Sequence, residues 1–150
     1  MVDRQARNKL AEEVRHFVGG FTINFDYDDA AFDIDTKDKG VIDIRDEVWL
    51  TYDDLRKHKM KGDWALNQEQ MDIVKRSIVF LKSDCEYKWP KWPFYYKFAR
   101  PFIWLLSFGK APKYLDGYLH RFGDKNVWPF FSVHQYELAK AEPVYCTNSS

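Results

Sequence analysis

Only two cysteines, Cys85 and Cys146, occur in 150 residues. Cys146 falls in a polar C-terminal stretch expected to fray, where a disulfide would constrain little, so both are read as reduced thiols of a reducing compartment. No apolar run approaches the roughly 20 residues that a bilayer requires. The longest, Phe94 to Phe108, is interrupted by Lys97, Arg100 and Pro101, which excludes a spanning helix. Val2 to Arg15 mixes charged and apolar residues and lacks the continuous apolar stretch of a secretion signal. Net charge is missing too: 23 Lys plus Arg balance 23 Asp plus Glu, so no global field attracts or repels a polyanion. No segment of length shows strict two-residue alternation and no internal repeat occurs, which leaves little or no sheet.

Motif absences narrow the chemistry. There is no G-x-S-x-G elbow, P-loop or G-x-G-x-x-G fingerprint, so three common catalytic and nucleotide-binding signatures are lost. His16, His58, His120 and His134 are scattered without metal-ligand spacing, and neither cysteine has a close partner. Asp35 to Asp46 places Gly40 and Asp46 where a calcium loop would want them. Its third and fifth positions are Lys37 and Lys39, whose ammonium groups cannot ligate a cation. No cofactor and no metal is expected.

What is abundant is aromatic. The 12 Phe, 9 Tyr and 6 Trp amount to 18% of the chain, and each can bury roughly 150–250 Å². Ten of the twenty-two residues from Tyr87 to Phe108 are aromatic. Charge is also segregated: eleven acids stand against three bases from Thr22 to Asp54, a net −8, and eight bases against two acids from Tyr87 to Lys125, a net +6. The two segments either face each other within one domain or form surfaces of opposite sign for different partners.

The periodicities predict a mainly α fold, a bundle of five or six helices, with residues 1–142 as one domain and 143–150 as a flexible tail. Ala6, Leu10, Val14 and Phe17 mark a first helix, Asp3 to Val18, stopped by Gly19-Gly20. One or two turns follow from Asp26 to Asp33, anchored by Phe25, Ala30 and Phe32. A stripe of Val41, Ile44, Val48, Trp49, Tyr52 and Leu55 predicts a third helix over Val41 to His58. On it Asp53 would pair with Lys57, and Lys57, His58 and Lys59 would suit its C-terminal pole. Asn67 and Gln70 form the pattern of a capping box opening a fourth helix to about Leu81, with Met71, Val74, Ile78 and Leu81 buried. Pro90, Pro93 and Pro101 then break the aromatic segment, with a helix restarting near Phe94 and a short one near Tyr114 to Leu119. Ser132 and Gln135 predict a last helix, Val133 to Ala141.

Trp49-Leu-Thr-Tyr52-Asp53-Asp54-Leu55-Arg56, Phe80 to Pro90 with its Glu86-Tyr87-Lys-Trp89-Pro90, and Trp128-Pro129-Phe130 with Tyr136-Glu137 resemble patterns in a group of small uncharacterised bacterial proteins, over roughly residues 8 to 140. The resemblance implies a bacterial cytosolic protein and no particular chemistry.

Trp89, Trp92, Tyr95 and Tyr96, with Lys91 and Arg100, are the candidate partner-binding residues, because rings interleaved with cations suit protein hot spots. The same pattern also suits single-stranded nucleic acid, an anionic lipid surface or rings that simply close the core. The expected function is non-catalytic protein binding, as an adaptor or inhibitor. A small enzyme drawing on His58, His120, Asp84 or Cys85 and nucleic-acid binding through the basic aromatic segment are the alternatives.

Overall fold

A computed structural model of the chain describes residues 1–90 and 123–141. Among these, five α-helices carry the architecture: α1 (Arg4–Val18), α2 (Asn24–Phe32), α3 (Lys39–Trp49), α4 (Gln68–Leu81) and α5 (Val133–Ala141). Single 3-10 turns lie at Gly62–Trp64 and Lys125–Val127. The sole β pairing among the described residues is an isolated antiparallel bridge between Ile23 and Lys59. The fold is mainly α.

Helix α1 is the hub, in contact with α2, α3 and α4. Asp3 caps it by accepting from the Ala6 amide, and its three- and four-residue stripe puts Leu10, Ala11, Val14 and Phe17 in the core. These meet Tyr27 and Ala31 of α2, Val41, Ile44 and Val48 of α3, and Val74, Phe80 and Leu81 of α4. The C-terminal described segment closes the core over α4, with Phe130 edge-on to Phe80 at 5.2 Å between ring centroids.

The buried stripe of α1 also contains Arg7, wholly buried. Its Nε donates to Asp38 Oδ2 at 2.7 Å, its Nη1 donates to the carbonyls of Ser83 and Cys85, and its guanidinium lies 4.7 Å from the Phe80 ring centroid. Asp38 in turn caps α3 through the Gly40 amide and accepts from the Asp3 amide. One turn earlier, Arg4 donates to the Leu81 and Ser83 carbonyls and pairs with Asp84. Two arginines of α1 therefore satisfy carbonyls at the exit of α4, which a helix cannot satisfy internally.

Three expectations need correction. The second helix is anchored by Asn24, Tyr27 and Ala31, whereas Phe25 and Phe32 face solvent. The third stops at Trp49, nine residues before His58. Thr51 Oγ1 donates back to the Val48 carbonyl at 2.6 Å, and Asp53 Oδ1 accepts from the Leu55 amide, an Asx-type turn incompatible with continuing helix. The helical pairing of Asp53 with Lys57 and the helix-end role of Lys57, His58 and Lys59 fall with it. Finally, α4 opens on the Asn67–Gln70 capping box as expected, but its buried face is Val74, Ser77, Phe80 and Leu81. Met71 and Ile78 are only half-buried, because Phe80 is drawn between Arg7, Tyr87 and Phe130. The expected helices near Phe94 and Tyr114 and the tail at 143–150 lie outside the described residues.

Candidate interaction surface

At the end of the bundle where α1 passes into α2, Gly20 adopts a left-handed φ of 70°, and the stem of Lys61 packs so closely over it that a Cβ would collide. The turn releases Phe21, and Asn24 follows as the first residue of α2. Asn24 is buried and fully engaged. Its Nδ2 donates to the carbonyls of Asp53 and Arg56 at 3.0 and 2.9 Å, and its Oδ1 accepts from the His58 amide at 3.0 Å. Its own amide donates to the His58 carbonyl at 3.0 Å. One side chain thus fixes three points of the loop after α3.

His58 points inward from that loop. Its Nδ1 lies 2.7 Å from the Arg56 carbonyl; a carbonyl can only accept, so Nδ1 carries the proton. Its ring stacks on Trp64 at 4.2 Å and meets Tyr52 edge-on at 6.3 Å. Tyr52 stands edge-on to Phe17 and Tyr27, and its hydroxyl donates to Asp28. Burial, reinforced by that bond, pushes the Tyr52 hydroxyl well above its ordinary range, so it remains a donor. Burial also raises Asp28, partly offset by the Tyr52 bond. Nε2 of His58 and the hydroxyl of Tyr27 are buried with no hydrogen-bond partner among the described residues.

With its inner side anchored, the loop displays its outer side. Leu55 is 85% exposed, Phe21 72% and Trp64 37%. Around them Arg56, Lys57, Lys59 and Lys61 alternate with the buried His58 and Met60 along the segment and face solvent. Lys61 Nζ sits 5.8 Å from the Phe21 ring centroid. None of the four cations forms an ion pair among the described residues. Next to this loop, α2 turns Phe25, Asp26, Asp29, Phe32 and Asp33 outward, positions that recur at helical spacing on one face.

Of the residues singled out from the sequence, Trp89 is placed inside. It is 5% exposed, its Nε1 donates to the Pro129 and Phe130 carbonyls, both at 3.1 Å, and its ring meets Phe131 edge-on. A ring so enclosed has no open face for a partner, which corrects its assignment as an outward contact. Lys91, Trp92, Tyr95, Tyr96 and Arg100 lie outside the described residues, as does His120. His58, Asp84 and Cys85 occupy separate networks: His58 with Tyr52 and Trp64, Asp84 with Arg4, and Cys85 with its carbonyl on Arg7. Among the described residues no three His, Cys, Asp or Glu side chains are grouped to hold a metal ion. No described helix is long and apolar enough to cross a membrane.

Nothing local in the sequence singles out Phe21, Leu55 or Trp64. Leu55 continues a helical stripe, and Phe21 and Trp64 stand in turns without periodicity. The local signal is Lys57-His58-Lys59-Met60-Lys61, a short alternation of cations with His58 and Met60 that contains the bridge residue Lys59. No family model matches the chain, and no curated protein and no solved structure matches it.

Proposed function

We propose that the chain is a non-catalytic protein-binding protein of adaptor or inhibitor type, acting in the bacterial cytoplasm, and that the surface around Leu55 contributes to binding. The observation that carries this reading is Leu55 itself, 85% exposed on a loop held by Asn24. An aliphatic side chain gains nothing from water and cannot stack on a base, but it is a natural anchor for an apolar pocket. Phe21 and Trp64 enlarge the apolar area, and the fixed backbone lowers the entropy lost on docking. The free thiol of Cys85 fits a reducing compartment.

The test compares wild-type chain with Leu55→Asp, each immobilised and exposed to lysate of the native cell. A protein retained by wild type and lost by the variant, with unchanged far-ultraviolet circular dichroism, is the expected result. Equal retention by both, or recovery of nucleic acid or a metabolite in place of protein, overturns the reading.

A further inference from the structure

The apolar end of the molecule has two halves of opposite sign. One is the outward stripe of α2, with Asp26 and Asp29 beside Phe25 and Phe32. The other is the loop of Arg56, Lys57, Lys59 and Lys61 beside Leu55 and Trp64. The Asn24 hydrogen bonds and the Ile23–Lys59 bridge join them edge to edge. Neither Asp26, Asp29 nor the four cations take part in an ion pair among the described residues, so adjacent charges of opposite sign are left unused there.

We propose that this end docks on a second copy of the chain about a twofold axis; the inference rests on the protein-binding reading and names the partner. A twofold interface requires one patch to complement itself, residue i meeting j while j meets i. A patch with an acidic half beside a basic half meets that requirement, because rotation lays each acidic half on the other copy's basic half. Phe21, Phe25, Leu55 and Trp64 then lie between the two ionic layers and lose their water, as the centre of an interface should. The alternatives fit less well. An acidic partner would cover the basic loop and leave the α2 stripe bare. A nucleic acid or an anionic membrane would meet the cations but be repelled by Asp26 and Asp29 at their edge.

Sedimentation equilibrium of the full chain, at low and high salt, measures the association. The wild type is expected to be a dimer that weakens as salt screens the paired layers. Lys57→Glu/Lys59→Glu and Asp26→Lys/Asp29→Lys each set like charges against one another in both halves of the interface. Each should weaken self-association on the order of a hundredfold or more. An equimolar mixture of the two double variants makes every contact opposite in sign again and should restore the dimer. A variant that had failed to fold could not be rescued in this way. A wild type that is monomeric at high micromolar concentration, a dimer indifferent to both double variants, or a mixture that stays monomeric overturns the inference. If the wild type is monomeric yet captures another protein that Leu55→Asp loses, the second-copy inference falls while the protein-binding reading stands. If no protein is captured either, both fall.

Discussion

Arg7 and Asp38 form an ion pair sealed from solvent, with Nε 2.7 Å from Oδ2 and side-chain exposures of 0% and 2%. Each partner is saturated by other groups: the arginine by the Ser83 and Cys85 carbonyls, the carboxylate by the Asp3 and Gly40 amides. The pair therefore joins α1, the start of α3 and the exit of α4 at one point. Breaking a buried pair from one side leaves a charge without compensation, at a cost of about 3–5 kcal/mol. Arg7→Met is expected to lose stability of that order in urea unfolding. Arg7→Met combined with Asp38→Asn should recover part of it, because the second change removes the stranded charge while keeping an acceptor for the Gly40 amide. A double variant no better than the single one would contradict this account.

The same carboxylate sets a pH dependence. Burial works against ionisation of Asp38, but the bonds from Arg7 and the two amides outweigh it and hold the carboxyl below its ordinary value of 3.8. The Ala6 amide and the Thr36 hydroxyl hold Asp3 low as well. A lowered folded-state value means that the unfolded chain binds the proton more readily. The stabilisation is thus complete above the ordinary value and is lost as pH falls through 3.8 toward the folded-state value. Asp28, raised mainly by burial, runs the opposite way and contributes less as pH rises. Unfolding free energies from pH 7 to pH 3 should fall more steeply for wild type than for Asp38→Asn, and parallel curves would refute the assignment.

Asn24→Ala removes three side-chain bonds and leaves the buried His58 amide without its acceptor. A buried donor left in that state costs about 1–3 kcal/mol. The loss should be local: hydrogen exchange at His58 and proteolysis between Asp53 and Lys61 accelerate, while core amides of α1 stay protected. Acceleration spread evenly over α1 would show that the asparagine supports the core and not the loop.

Gly40 follows the cap of α3, and a Cβ there would stand 2.8 Å from a ring carbon of Phe80. Gly40→Ala must displace that ring, which packs against Arg7 and Tyr87, an overpacking penalty of about 1–3 kcal/mol. Thermal unfolding reads this directly, and an unchanged midpoint would mean that the ring moves freely.

Local signals in the sequence carried the helices that local chemistry decides. The Asn67–Gln70 capping box fixed the start of α4, the Gly19-Gly20 pair the end of α1, and Ser132 with Gln135 the start of α5. Features set by partners far along the chain were not legible. The stripe Val48, Tyr52, Leu55 continues a helical period, yet the backbone leaves it because Asn24, some thirty positions earlier, binds the Asp53 and Arg56 carbonyls. Arg7 fell on the apolar stripe of α1 between Asp3 and Leu10, a visible hint of a buried cation, but nothing nearby named Asp38 or Ser83. The rings carried the same ambiguity: composition gave their number, and only packing separates the enclosed Trp89 from the open Phe21.

The bonds from Arg7 to Ser83 and from Arg4 to Leu81 and Ser83 span 76 to 79 residues. During synthesis, Arg4 and Arg7 of α1 emerge before the carbonyls at the end of α4 that they bind. Until then α1 has its apolar stripe but lacks the acceptors that fasten Arg4 and Arg7. Ending the chain before residue 81 therefore deprives Arg4 and Arg7 of these acceptors and loosens α1 as well as α4.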